Sequence, residues 1–178
     1  MAALDADQIR ELLSDLLARL ATEGIRGGVR VVGGSAIALM NPARQATHDI
    51  DAVLTPAEPI LAAARDMASE RGLPDDWLND AVKAYVPPVG GDDWVEILWE
   101  GDISVYVGSL RMLLAMKLYA NRGRRDTEDI EFLLGACDVT SLEQAQEIFE
   151  EYHAQEVISD SAALRVQAWL DDRPHTDR

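Results

Sequence analysis

"VVGGSAIALMNPARQATHDIDAVL", residues 31–54, is the stretch that decides how the chain folds. Val29 to Val32 is a β-rich run, Gly33-Gly34 punctuates it, and "SAIALM" is apolar throughout, which predicts a short buried helix. Asn41-Pro42 ends that helix with a turn signal, "NPARQATH" is a loop, and "HDIDAVLT" is a second strand. A helix starting right after Gly33-Gly34 aims its unpaired N–H groups and the Ser35 hydroxyl at whatever lies above the turn. An anion such as phosphate is favoured there, and the glycines let it approach the backbone. Asp49 and Asp51 are two apart in the following strand, so their side chains leave one face with Cα atoms about 7 Å apart, while Ile50 points into the core. Two carboxylates on one face repel one another unless a cation lies between them, and hard oxygen ligands suit Mg²⁺ (or Mn²⁺) held together with substrate phosphates. A phosphate cradle beside a divalent-metal pair is a phosphoryl-transfer site in outline.

Outward from this stretch, residues 6–23 carry Ile9, Leu12, Leu13, Leu16, Leu17 and Leu20 at the spacing of an amphipathic helix, with Asp5 or Asp7 as N-cap. Pro56 and Glu58 open a further helix that Gly72 and Pro74 stop. "WLNDAVKAYV" is ambiguous between strand and helix. Val95 to Trp99 and Ile103 to Val107, joined through Glu100-Gly101-Asp102, read as a β-hairpin. From Ser109 onward the pattern is helical: "SLRMLLAMKLYANR", "DTEDIEFLLGAC", "SLEQAQEIFEEYH" with a Ser cap, and a last helix around 159–171.

The chain has 178 residues, 48% of them hydrophobic, enough for one substantial core. A single cysteine, Cys137, excludes an intramolecular disulfide, and three histidines leave no Cys/His metal cluster. No signal-peptide pattern and no membrane-length apolar run are present, which points to a cytoplasmic protein without a membrane partner. The formal charge of −16 argues against broad nucleic-acid binding, which draws its affinity from Lys and Arg on phosphates. The richest basic segment is Lys117 to Arg125, so a polyanion would have to dock near it.

The combination of Val31-Val32, Gly33-Gly34-Ser35 and Asp49-Ile50-Asp51 resembles the DNA polymerase β nucleotidyltransferase superfamily. "LLAMKLYANRGRRDTEDIEFLL", residues 113–134, is similar to the Lys-then-Arg-Asp-x-x-Asp helical motif of the AbiEii and MenT-type nucleotidyltransferase toxins of bacterial toxin–antitoxin systems. Together the resemblance covers roughly residues 29 to 135. It implies an α+β protein, a minimal nucleotidyltransferase fold of mixed β-sheet with flanking helices over residues 1–108. A C-terminal helical bundle over 109–172 and a disordered tail over 173–178 complete the expected organisation. It further implies Mg²⁺-dependent transfer of a nucleoside monophosphate from a nucleoside triphosphate to an acceptor hydroxyl, a tRNA 3′ end or a protein, with a cognate antitoxin or toxin as partner.

Residue by residue, the resemblance assigns nucleotide binding to Gly33, Gly34 and Ser35, with Gly34 and Ser35 on the β- and γ-phosphates. Metal binding falls to Asp49 and Asp51, and a triphosphate contact to Lys117. Asp126 would be the second-motif carboxylate near the nucleotide, Asp129 shares its helix face, and Arg125 would pair with a carboxylate of that cluster. The residues themselves agree about Lys117, because a lysine on an apolar helix face needs an anion for its ammonium. The superfamily's third carboxylate, often the base, is expected at Asp80, with Glu96 and Asp102 as the fallback pair.

Simpler readings exist for each piece. Gly-Gly-Ser is a common strand-to-helix turn, Asp-Ile-Asp serves as a solvated strand end, and Lys117 can snorkel to solvent. Acids such as Asp126 and Asp129 suit a first helical turn whatever else they do. Trp77, Trp94, Trp99 and Trp169 are spaced like core and hairpin anchors, without a base-stacking role. Two other functions fit parts of the sequence: a catalytically inactive nucleotide-binding or protein-interaction module, and an antibiotic-modifying nucleotidyltransferase, whose cationic substrate the acidic charge would suit.

Overall fold

The leucine-rich stripe at the N-terminus becomes helix α1 (Ala6–Thr22), with Ile9 and five leucines buried along one face. Asp5 accepts the Gln8 N–H at 2.8 Å and its own N–H reaches the Gln8 side chain at 3.0 Å, a reciprocal cap. The computed structural model describes residues 3–41, 44, 47–88 and 90–173; the expected tail thus lies, from 174 on, outside the described residues.

Strand β1 (Gly27–Val31) leads directly into helix α2 (Gly33–Met40), then strand β2 (Ile50–Thr55) and helix α3 (Ala57–Arg71). Strand β3 (Leu78–Asn79) is followed by a 3₁₀ turn, Ala81–Ala84, so the ambiguous segment is both a minimal strand and a helical turn. Strands β4 (Trp94–Glu100) and β5 (Ile103–Gly108) form the expected hairpin, with a register shift between Glu96 and Leu98. The sheet order is β3-β2-β1-β5-β4. β1 pairs antiparallel with β2 and parallel with β5, and β2 is parallel to β3.

Strand alternation gives this sheet a dry face and an open one. Val29, Val31, Ala52, Leu54, Val105 and Val107 are buried, while Arg30, Asp51, Val53, Ser104 and Tyr106 between them are half-buried. Helices α1 and α3 lie against the strands, and the buried Trp77 fastens α3 by donating its indole N–H to the Ala64 carbonyl at 2.9 Å. The helix after the glycine pair begins two residues earlier than the sequence predicts, at Gly33, so both glycines lie in its first turn.

The remaining helices are α4 (Leu110–Ala120), α5 (Thr127–Ala136), α6 (Leu142–Tyr152) and α7 (Asp160–Asp172). Ser141 caps α6 by accepting the Gln144 N–H, and Ser159 caps α7 by accepting that of Ala162. α4 packs on α5 and α6, and α7 packs on both of those, around Leu114, Leu118, Leu133, Phe149 and Val166. The chain divides into two compact units, Met1–Val86 with Gly90–Ser109 and Pro87–Val89 with Leu110–Arg178. The architecture is α+β, with a five-stranded mixed sheet, flanking helices and a helical C-terminal region. Among the described residues no helix is long and apolar enough to cross a membrane.

Candidate active site

In the first unit, the candidate residues gather where β1 ends and β2 begins. Val32 donates its N–H to the Asp51 carbonyl at 2.9 Å, which carries the β1–β2 ladder one step past Val31 and seats Asp51 beside Gly33. Gly33 has φ +66°, and a Cβ there would stand 3.2 Å from Asp51 Oδ2. Both the left-handed backbone and the close carboxylate therefore require glycine. At Gly34 a Cβ would meet Arg44 Nη2 at 2.9 Å and Thr47 Oγ1 at 3.3 Å. The start of α2 is thus flanked by a carboxylate on one residue and a guanidinium on the next. Thr47 is held from outside, since it and Leu4 exchange backbone hydrogen bonds at 2.9 and 2.5 Å.

Ser35 is 1% exposed and donates its hydroxyl to the Val32 carbonyl at 3.1 Å. Its proton is turned into the strand end, so the donors that α2 offers outward are backbone N–H groups of its first turn. His48, adjoining the acids, is exposed.

Asp49 and Asp51 are both half-buried and flank the fully buried Ile50, as the alternation requires. Across the ladder from Asp51 stands Asn79, whose Nδ2 lies 3.5 Å from Asp49 Oδ2. Asn79 therefore shares the face of the two acids, and its Oδ1 accepts the Ala81 N–H at 3.1 Å. Asp80 follows, half-buried and outside the strand at φ −111°, ψ 18°, with no capping hydrogen bond from its side chain.

The fallback carboxylates need correcting. Glu96 is exposed on β4, three strand spacings or about 14 Å from β2. Asp102 pairs with Arg26 at 3.0 Å, and its carbonyl accepts the Gly27 N–H, at the far end of β1 from Gly33. Neither reaches the acids.

Among the described residues no three His, Cys, Asp or Glu side chains gather to hold a metal ion. The first unit offers two carboxylates, Asp49 and Asp51. That donor set fits Mg²⁺, which takes one or two carboxylates and completes its shell with water and substrate phosphates, and does not fit an all-protein cage.

The second unit holds a different cluster. Lys117 Nζ lies 2.7 Å from Asp126 Oδ1 and 2.8 Å from Asp129 Oδ2, and all three residues are buried. Asp126 Oδ2 accepts the Arg122 backbone N–H at 2.7 Å and faces the Arg122 guanidinium at 3.3 Å. Burial alone would raise the Asp126 pKa. The Lys117 hydrogen bond, the Arg122 N–H and the Lys117 charge outweigh it and bring it from 3.8 down to about 2. Two cations and two carboxylates so close balance in charge, and they bind the end of α4 to the start of α5.

Lys117 meets its anions inside the protein, and Arg122, not the exposed Arg125, is the arginine of this cluster. A signal for Arg122 was present, its i, i+4 spacing to Asp126. No comparable signal marked Asn79, because a two-residue strand carries no alternation to read. A groove of about 570 Å³ lies between α5 and α7, lined by Arg165, Trp169 and Arg173 among others. Its arginines are engaged, Arg165 with Asn121 and Thr127, Arg173 with the Val139 carbonyl and the Trp169 ring.

A family model described as "Nucleotidyltransferase of unknown function (DUF6036)" matches residues 7–172. No curated protein and no solved structure matches the chain.

Proposed function

The chain belongs to that nucleotidyltransferase family, and from this premise we propose that it transfers a nucleoside monophosphate from a nucleoside triphosphate to an acceptor hydroxyl and releases pyrophosphate. The observation carrying the reading is the seat of Asp51 against Gly33, which sets one carboxylate of the Asp49–Asp51 pair beside the backbone N–H groups that open α2. In this reading Asp49 and Asp51 hold Mg²⁺, or Mn²⁺, and the first turn of α2 holds the phosphates through Gly33, Gly34 and Ser35. When bound, the metal neutralises charge on the triphosphate and on the leaving pyrophosphate. Asn79 orients Asp49 and has no basic atom to take a proton, so the base falls to Asp80, the carboxylate next along the chain. Lys117 and Asp126 act in this proposal by holding the α4–α5 turn and the Arg122 side chain in place.

The acceptor is proposed from motif resemblance alone, as a tRNA 3′ end or a protein hydroxyl, and so is a toxin–antitoxin role. Asn79 favours a second reading, a nucleotide-binding module without catalysis, because an amide stands where the register brings a residue opposite Asp51. Incubation with each α-labelled nucleoside triphosphate, Mg²⁺ or Mn²⁺ and a total tRNA pool separates the two. Label moving into RNA or protein with the native chain, and not with Asp51→Asn, supports transfer. Triphosphate binding without any labelled product supports the module.

A further inference from the structure

Arg30 is the one charged residue of β1, and its half-buried side chain leaves the open face of the sheet. Its guanidinium carbon lies 5.4 Å from the centre of the Tyr106 ring and 5.8 Å from that of Trp94. Tyr106 is its direct neighbour on β5, whereas Trp94 is paired with Gly108, one step beyond Val107, the partner of Val31. The arginine head therefore leans toward the end of the sheet that bears Gly33. On the other side of β1, Arg30 faces Val53, and Asp51 is the next residue of β2 on the same face toward that same end. A diagonal of this kind separates Cα atoms by about 7–8 Å.

Arg19, Arg26, Arg65, Arg71, Arg111 and Arg122 each pair with a carboxylate. Among the described residues Arg30 has no such ion pair, although the chain carries a formal charge of −16. Two aromatic faces hold a planar cation and fix its orientation, but they carry no net charge to neutralise it. We propose that Arg30, braced by Tyr106 and Trp94, receives a phosphate of the bound nucleotide beside Asp51. This rests on the nucleotidyltransferase reading and adds to it a specific cation on the open face. The bracing rings reduce the side-chain entropy lost on binding, and the guanidinium fork donates charge-assisted hydrogen bonds to phosphate oxygens.

The test is calorimetric titration of the full chain with inorganic tripolyphosphate and with each of the four nucleoside triphosphates, all in Mg²⁺. Native protein is compared with Arg30→Met and Arg30→Lys, and the melting temperature of each is recorded. Arg30→Met is expected to weaken tripolyphosphate and nucleotide binding between about ten- and one-hundredfold at a near-native melting temperature. Arg30→Lys, which keeps the charge but loses the fork and the stacking, is expected to fall between. If Arg30→Met unfolds, Arg30→Lys decides alone. Native binding with unchanged affinity in the folded variants overturns the assignment of Arg30 and leaves the acidic site standing. No binding of tripolyphosphate or of any nucleotide by the native chain overturns both.

Discussion

Gly33 and Gly34 are neighbours with unequal demands. Gly33→Ala forces a left-handed backbone on an L-residue, at roughly 1–2 kcal/mol, and presses a methyl group against Asp51 Oδ2. Gly34→Ala meets the far end of the Arg44 side chain and the Thr47 hydroxyl, has no left-handed backbone to strain, and is expected to cost less. Urea denaturation of the two variants should show this contrast. Lys117→Met is expected to be more damaging, about 3–5 kcal/mol, because it removes the buried ammonium that Asp126 and Asp129 share. The same cluster sets an acid limit. Asp126 has a lowered pKa when folded, so its contribution to stability is fully present above 3.8 and is lost as pH falls through about 2. Unfolding free energies measured between pH 5 and pH 2 should fall over that window in the native chain, and by less in Asp126→Asn.

At the scale of elements, the caps and the indole tie can be tested separately. Ser141→Ala and Ser159→Ala each remove the acceptor for a first-turn N–H and are expected to destabilise by about 1 kcal/mol apiece. Trp77→Ala empties a fully buried site between α3 and β3 and is expected to cost about 3–5 kcal/mol, with chemical denaturation as the readout. Much of this level was legible in the sequence. The stripe from Ile9 to Leu20, the Ser141 cap and the hairpin turn announce themselves through spacing and turn chemistry, and the structure bears them out at nearly the expected bounds. What escaped was set by pairing across strands. β3 has two residues, too few for a period, and only its ladder with β2 brings Asn79 opposite Asp51. The 3₁₀ turn Gly123–Asp126 likewise sets which arginine faces Asp126, where the motif resemblance points to Arg125. Arg30 reads in sequence as an ordinary solvent-side strand residue; its aromatic neighbours come from β4 and β5, more than sixty positions on.

At the scale of the whole molecule, the charge of −16 dominates. Most arginines that form ion pairs do so at the surface, where such pairs contribute little, so carboxylate self-repulsion is the larger long-range electrostatic effect. The melting temperature is therefore expected to rise as sodium chloride is increased from low ionic strength to physiological levels, since screening relieves repulsion over about 8–10 Å. A fall would mean that the surface pairs prevail. The same charge would make an unassisted triphosphate an unfavourable ligand, so the Mg²⁺ proposed above would have a second task beyond chemistry.

Asp49 and Asp51 are proposed to form a metal site that a nucleotide completes. Titration of Mn²⁺ by electron paramagnetic resonance, with and without a non-hydrolysable nucleoside triphosphate, addresses it directly. Mn²⁺ should bind weakly to the protein alone and more tightly than to free nucleotide once both are present, and Asp49→Asn and Asp51→Asn should each abolish that gain. Mn²⁺ binding indifferent to nucleotide, or to either substitution, would contradict the claim.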